Sequence, residues 1–233
     1  MLKSTVAGKD GRGSIWMIAN ISVQEAGQPR PKLRRNEKHI VTKRRLFQAA
    51  IKVVGKYGYA GASVARITAE AGVAQGTFYL HFENRQVLLD QLLPAVGEDV
   101  AATVRERTSS EDLSPEDTEV ERCRAFFDVL KEVPEFFRIL NEAEMFAPEA
   151  YTKHIDGIVA GYVRALKRGF DPNDPDGYSD EELEVIVHVL LGARACLGKR
   201  YANPDDGESV PDYVMSAYSK LMRRGLFPKP AAK

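Results

Sequence analysis

The 233-residue chain carries 33 Lys+Arg against 33 Asp+Glu, with 28% charged and 44% hydrophobic residues. These are ordinary values for a globular protein that builds one core, or a small head on a larger body. A zero net charge argues against a nucleic-acid partner, but the charges are segregated: residues 1–85 hold 15 Lys+Arg and 5 Asp+Glu (+10), residues 86–233 hold 18 and 28 (−10). A basic N-terminal third on an acidic remainder is the footprint of a DNA-binding head, although a basic disordered tail gives the same sign. Cys123 and Cys196 make no metal-ligand spacing and no disulfide framework, and read as reduced core or interface residues. No apolar run approaches the roughly 20 residues that span a bilayer. The early patch at 15–19 falls short of a signal-peptide core of about 7–15 residues, so a cytoplasmic protein with no membrane partner is expected.

Residues 1–37 hold Gly, Pro and Arg with little periodicity and are expected to form a flexible basic arm. Arg30, Lys32, Arg34, Arg35 and Lys38 either reach along a phosphate backbone or minor groove or belong to an unstructured leader, with Met17 an alternative start. A helix follows at 41–57, with Leu46, Ala50, Val53, Val54 and Tyr57 on one face, Thr42 as its N-cap and Gly58 as its stop. Lys43, Arg44 and Arg45 then crowd the first turn, where the macrodipole disfavours cations. That placement suggests an external anion such as DNA phosphate, against the alternative of a solvated basic face.

Residues 63–85, SVARITAEAGVAQGTFYLHFENR, predict two short helices joined by a turn. Ser63 is a fit N-cap. Val64, Ile67 and Ala71 form an apolar stripe, and Gly72 supplies the left-handed residue that ends the helix. A second helix at 75–81 buries Phe78 and Phe82 and turns Gln75, Thr77, Tyr79 and His81 outward. Two small helices crossing at a Gly-containing turn are the helix-turn-helix, whose second helix enters the major groove. This run resembles the DNA-binding segment of TetR-family transcriptional regulators, approximately I-A-x-x-A-G-V-S-x-G-T-x-Y-x-x-F-x-x-K. Ile67, Ala71, Gly72, Val73, Gly76, Thr77, Tyr79 and Phe82 are in register, and 58–63 match the preceding G-[YF]-x-x-[TA]-[ST]. The chain departs at Thr68 (Ala in the family), Ala74 (commonly Ser) and Arg85 (usually Lys): Thr68 is small enough for the helix crossing, Ala74 loses a cap, and Arg85 keeps the charge.

Asn84 reads as the N-cap of a helix to about residue 107, with Pro94 kinking or splitting it after Leu93. Residues 114–117 read as a cap and first turn, followed by helices at about 115–131, 134–145, 148–169, 180–202 and 209–226; 170–178 and 201–208 are loops. No strand alternation or internal repeat is present. The fold class expected is all-α, an N-terminal three-helix DNA-binding head with a helix-turn-helix on a larger helical ligand-binding and dimerisation body. Its units are 1–37 (arm), 38–84 (head) and 85–228 (body).

The resemblance implies site residues. For DNA these are Lys43, Arg44, Ser63, Gln75, Gly76, Thr77, Tyr79, His81 and Arg85. Thr77, Tyr79, Arg85 and Lys43 or Arg44 would hold phosphates, Gln75 and Gly76 would approach base edges, and His81 would serve either role. Aromatic residues of the middle helices are either core or the walls of an effector pocket: Phe126, Phe127, Phe137, Phe146 and Tyr162, with Asn141 and His154 as polar anchors. The last two helices carry broad apolar stripes that serve the subunit core or, as the resemblance implies, a homodimer through Leu190, Ala193, Leu197, Tyr213, Ala217 and Leu221. The function so read is a homodimeric regulator, in such families most often a repressor, released from a palindromic operator on double-stranded DNA by a small apolar or aromatic effector that moves the 84–107 helix. Control by a protein partner, or activation, is the alternative. No nucleophile–base pair, metal-ligand set or phosphate-binding glycine loop supports an enzyme, and no cofactor is implied.

Overall fold

The computed structural model describes residues 35–109, 113–168, 177–202 and 210–225. The expectations for the arm up to residue 34, and nearly all of those for the two loops, lie outside these residues. All regular structure among them is helical. The order is α1 Arg35–Gly61, α2 Val64–Ala71, α3 Gln75–Phe78, α4 Arg85–Leu89, α5 Leu92–Arg107, α6 Pro115–Glu132, α7 Pro134–Phe146, α8 Pro148–Lys167, α9 Asp180–Tyr201 and α10 Asp212–Arg224.

The first helix begins at Arg35, so Thr42 lies inside it and is not its N-cap. Nothing in the preceding residues breaks a helix, and Glu37 in the first turn complements the macrodipole. Lys43, Arg44 and Arg45 therefore sit in the third turn, and the expected conflict between these cations and the helix start does not exist. Leu46, Ala49, Ala50, Val53 and Val54 form the buried face. Gly58, at φ 73° and ψ 171°, interrupts the helical backbone where a stop was expected, and the chain resumes a short turn to Gly61. These dihedrals belong almost solely to glycine. Tyr59, wholly buried, anchors that turn.

The helix-turn-helix forms by local rules. The Ser63 hydroxyl accepts from the Arg66 N–H at 3.3 Å, Ile67, Thr68 and Ala71 face inward, and Gly72 takes the left-handed conformation at φ 63°, ψ 41°. Buried Thr68 satisfies its hydroxyl by donating to the Val64 carbonyl at 2.9 Å. Phe78 and Phe82 plug the head core beneath α3, which is regular only to Phe78 and continues as turns toward His81.

The expected single helix from Asn84 is two. Asn84 caps α4, accepting from the Val87 N–H at 3.0 Å, and the break falls at Asp90–Gln91 rather than after Leu93. Pro94 dictates this place: its ring excludes the carbonyl four residues back, that of Asp90, while in the first turn of α5 its missing N–H costs nothing. Of the remaining helices, α6 and α9 start on side-chain caps, while α7 and α8 begin at Pro134 and Pro148 without one. Ser114 accepts from the Asp117 N–H at 3.1 Å, and Ser179 and Glu182 form a reciprocal capping box. Helix α5 packs against α6, α7 and α8, α9 lies on α8, and α10 on α6. No described helix is long and apolar enough to cross a membrane.

Candidate nucleic-acid interface

The surface of α3 is built by what its neighbours bury. Phe78 and Phe82 point down, leaving Gln75 and Gly76 exposed at the helix start and Tyr79 and Leu80 exposed at 58% and 74%. A Cβ at Gly76 would meet nothing within 4 Å, so a backbone or base edge can come close. Thr77 is half-buried. Ala74, the N-cap, contributes no side-chain hydrogen bond, which leaves first-turn N–H groups available to an outside acceptor. Leu80 was absent from the sequence-based set; its place between Phe78 and Phe82 was the available signal, and an exposed apolar side chain here suits a thymine methyl.

Lys43 and Arg44 are exposed on α1, with Lys43 Nζ 5.5 Å from the centre of the Phe82 ring. His81 is half-buried, not fully outward: its ring lies 4.1 Å from that of His39, its Nδ1 has no partner, and burial, His39 and Lys43 together push its pKa down. Ser63 is exposed but its hydroxyl serves the cap. Arg85 is half-buried and donates to the Tyr59 carbonyl at 3.4 Å, so part of its fork is already engaged by the protein. Two further arginines hold the frame, Arg45 from the basic run of α1 and Arg66 from α2. Arg45 donates to the Ala71 carbonyl at 2.6 Å, closing the end of α2, and Arg66 donates to the Gly61 carbonyl at 2.8 Å while lying over the Tyr57 ring.

The head is held by α7, which packs along α1. Arg138 donates to the carbonyls of Gly55 and Lys56 at 3.2 and 3.0 Å and pairs with Glu142 at 2.7 Å. Glu142 accepts in turn from the Tyr59 N–H at 2.8 Å. These two residues cap the broken end of α1 from outside. Phe146, expected in the pocket, instead stacks on Tyr59 with centroids 6.0 Å apart, and its carbonyl accepts from Gln86 of α4 at 2.7 Å.

Of the other residues singled out for the pocket, Phe126, Phe127 and Phe137 lie together. Phe127 is buried and Phe126 and Phe137 half-buried; Phe127 and Phe137 close on Gly198, where a Cβ would lie 3.5 and 3.2 Å from their rings. Asn141 is exposed and donates to the Phe137 carbonyl. His154 packs its ring against Gly97, and burial lowers its pKa. Tyr162 belongs to a buried polar layer that sequence reasoning did not assemble. Arg194 of α9 pairs with Glu119 of α6 at 2.5 Å and donates to the Tyr162 hydroxyl, and Tyr218 of α10 donates to the same Glu119 oxygen at 2.6 Å. Cys123, wholly buried beside this layer, has its thiol pushed up to about 11 by burial.

On the last two helices Leu190 is 7% exposed and faces the subunit's own core, because it lies one turn from buried Val187 and Arg194 on the inward stripe of α9. Ala193 and Leu197 are half-buried, while Tyr213, Ala217 and Leu221 are exposed. The outward stripe of α9 is Val185, Val189, Gly192 and Cys196, exposed residues spaced at helical period.

A helix-turn-helix with an open second helix, seated on an all-helical body, defines the class of DNA-binding transcriptional regulators. Residues 46–92 match the family model described as bacterial regulatory proteins, tetR family. The chain is 32% identical over 194 residues to the HTH-type transcriptional regulator CymR of Pseudomonas putida, covering 83% of each chain. It is 41% identical over 56 residues to the uncharacterized HTH-type transcriptional regulator YvdT of Bacillus subtilis (strain 168), a match confined to 24% of this chain and 27% of that one. In fold it is similar to the transcriptional regulator FadR from Bacillus subtilis in complex with stearoyl-CoA, with a TM-score of 0.64 and 17% identity, covering 78% of this chain and 98% of that one. The chain belongs to the TetR family of DNA-binding transcriptional regulators.

Proposed function

We propose that this regulator is a cytoplasmic homodimeric repressor that leaves a palindromic operator when a small apolar or aromatic effector enters its body. The observation that carries the reading is the exposed start of α3 on a head that α7 caps through Arg138 and Glu142. A reading helix fixed to the body transmits a change in the body; one on a loose tether does not. Residues 38–84 form the DNA-binding unit and 85–228 the effector and dimer unit. Gln75 and Gly76 read base edges, with Thr77, Tyr79, Lys43, Arg44 and the free part of Arg85 on phosphates. The outward stripe of α9, with Tyr213, Ala217 and Leu221 of α10, forms an isologous contact in which each subunit presents the same patch. Two heads about 34–36 Å apart then meet successive turns of one DNA face. The FadR structure, of related fold, is in complex with stearoyl-CoA, which supports a small-molecule effector.

Selection of bound sequences from random DNA, with the mass of the complex measured by light scattering, tests this reading. An inverted repeat bound by two subunits is expected; enrichment of single half-sites by a monomer would overturn it.

A further inference from the structure

We infer that His39 and His81, with Lys43, form a clamp for one DNA backbone phosphate that closes with the uptake of protons, so that DNA binding by this head strengthens on acidification. The clamp needs only that the head binds DNA, and neither the dimer nor the effector.

His39 owes its place to the early start of α1. A helix from residue 41 would have left it on the arm. The helix from Arg35 carries it in regular backbone, one turn before Lys43, at the spacing that puts two side chains on one face. From there the His39 ring meets the His81 ring at 4.1 Å between centroids and 37° between planes. Lys43 Nζ stands over the neighbouring Phe82 ring. Helix α1 and the turns that follow α3 thus bring three basic side chains to one place. The charged groups acting on His81 are His39 and Lys43, and no carboxylate of the described residues, the exposed Glu83 included, is among them. Glu37, the acid of α1, is two residues from His39 and so on another face of the helix.

This arrangement is unfavourable in the free head. A ring half-withdrawn from water beside two basic groups resists its own proton, and the fold supplies no anion in return. His81 Nδ1 is buried without a partner, a cost that an apolar ring in its place would not carry. An anion from outside changes the balance, because it offsets the repulsion between the two rings and favours their charged forms. Histidine is the side chain whose charge changes near neutral pH. Such an anion is therefore bound together with protons, in contrast to one held by lysine alone.

The place of the cluster makes that anion a DNA phosphate. His81 follows exposed Tyr79 and Leu80, at the end of the surface that begins with Gln75 and Gly76. A helix that enters the major groove brings its flanks against the phosphates bordering the groove. A backbone phosphate is acceptor-only, and imidazolium N–H groups with an ammonium match it as charge-assisted donors.

The test measures binding of the full-length protein to a random-sequence duplex and to the duplex recovered by selection, at fixed ionic strength from about pH 7.5 to about pH 5.5. Calorimetry in buffers of different ionisation enthalpy reads the protons taken up. The parent should bind roughly tenfold or more tightly at the lower pH and take up about two protons per head. His39→Gln should lose about half of that uptake, with the Tm of the free protein in place. His39→Lys, with a standing charge, should bind at the higher pH nearly as the parent does at the lower one, and with a flatter profile. A merely structural His39 would not give that result. In the selected duplex, a neutral methylphosphonate moved along the backbone should remove the pH dependence at one position per head. Equal proton uptake by the parent and His39→Gln would overturn the histidine pair, and a pH dependence that no methylphosphonate removes would overturn the phosphate. Inorganic phosphate that raises Tm at low pH without DNA, in the parent and not in His39→Gln, would assign the site to a free anion and overturn the DNA contact.

Discussion

The head and the body place their polar side chains in opposite ways. In the head, polar groups sit at the surface and answer to the backbone nearby: Ser63 to Arg66, Asn84 to Val87, Arg45 to Ala71. In the body, Glu119, Tyr162, Arg194 and Tyr218 come from four helices and meet inside. The first arrangement builds a rigid platform and leaves its outer face free for phosphates and bases. The second holds charge where water is scarce, with each charged group answered by a partner from another helix. Each use of polarity costs stability in a different way, and substitutions separate them.

The largest effect is expected at Glu119. Glu119→Leu leaves Arg194 buried with no anion and should cost about 3–5 kcal/mol, read as a large fall in the urea midpoint. Glu119→Leu with Arg194→Leu should recover much of the loss, because two apolar groups replace two charges. A single variant as stable as the parent would show that the layer is hydrated and the contrast with the head false.

Next comes the seam between the regions. Gly58→Ala must hold an alanine at φ 73°, with its Cβ 2.7 Å from Glu142 Oε2, and should cost about 1–3 kcal/mol from backbone strain alone. Because the same carboxylate accepts from the Tyr59 N–H, the variant also loosens α7 from the head. Arg138→Ala removes the matching contact to the Gly55 and Lys56 carbonyls at a smaller cost, about 1 kcal/mol. In selections with variable spacers, Arg138→Ala should broaden the tolerated half-site spacing while a single half-site binds as before. Unchanged spacing preference would mean that α4 and α5 alone orient the head.

How much of this was readable in the chain follows from the same contrast. Ser63, Gly72, Asn84 and Ser114 act on residues four or fewer positions away, and a local pattern records a local hydrogen bond. The N-terminal extension of α1 was missed because Thr42 looked like a cap, although nothing before it opposed a helix. Leu190 and the outward stripe of Val185 and Val189 were indistinguishable by hydrophobicity on a helix apolar on more than one side. The polar layer was least legible of all. Its hydrogen bonds join residues 32 to 99 positions apart, and no spacing rule couples an Arg on one helix to a Glu three helices earlier. Phe146 carried the right chemistry for a pocket, but packing assigned it to Tyr59 at the seam.

On the DNA-facing side the expected effects divide by what each residue touches. Gln75→Ala should lose about 1–3 kcal/mol of discrimination at one base position and little affinity for random DNA. Lys43→Ala should weaken all sequences alike and reduce the salt slope by about one. If Gln75→Ala behaved as Lys43→Ala is expected to, the start of α3 would be a phosphate contact and base reading would move toward Leu80.

The smallest effect is a pH dependence at His81, and its sign distinguishes the free head from the bound one. Burial, His39 and Lys43 hold the folded pKa below the ordinary 6.5, so the unfolded chain takes up the proton first. Stability should therefore decline as pH falls below about 6.5 and level off once the folded His81 also protonates. His81→Gln should flatten that part of the profile, and the difference between the two proteins isolates this histidine from His39 and His154. A DNA phosphate beside His81 reverses the preference, because protonation then gains an anion. Operator affinity should then strengthen from pH 7.5 to pH 5.5 in the parent more than in His81→Gln, while stability moves the other way. Affinity that weakened with stability would place His81 on the frame of the head with Arg45, away from the phosphates.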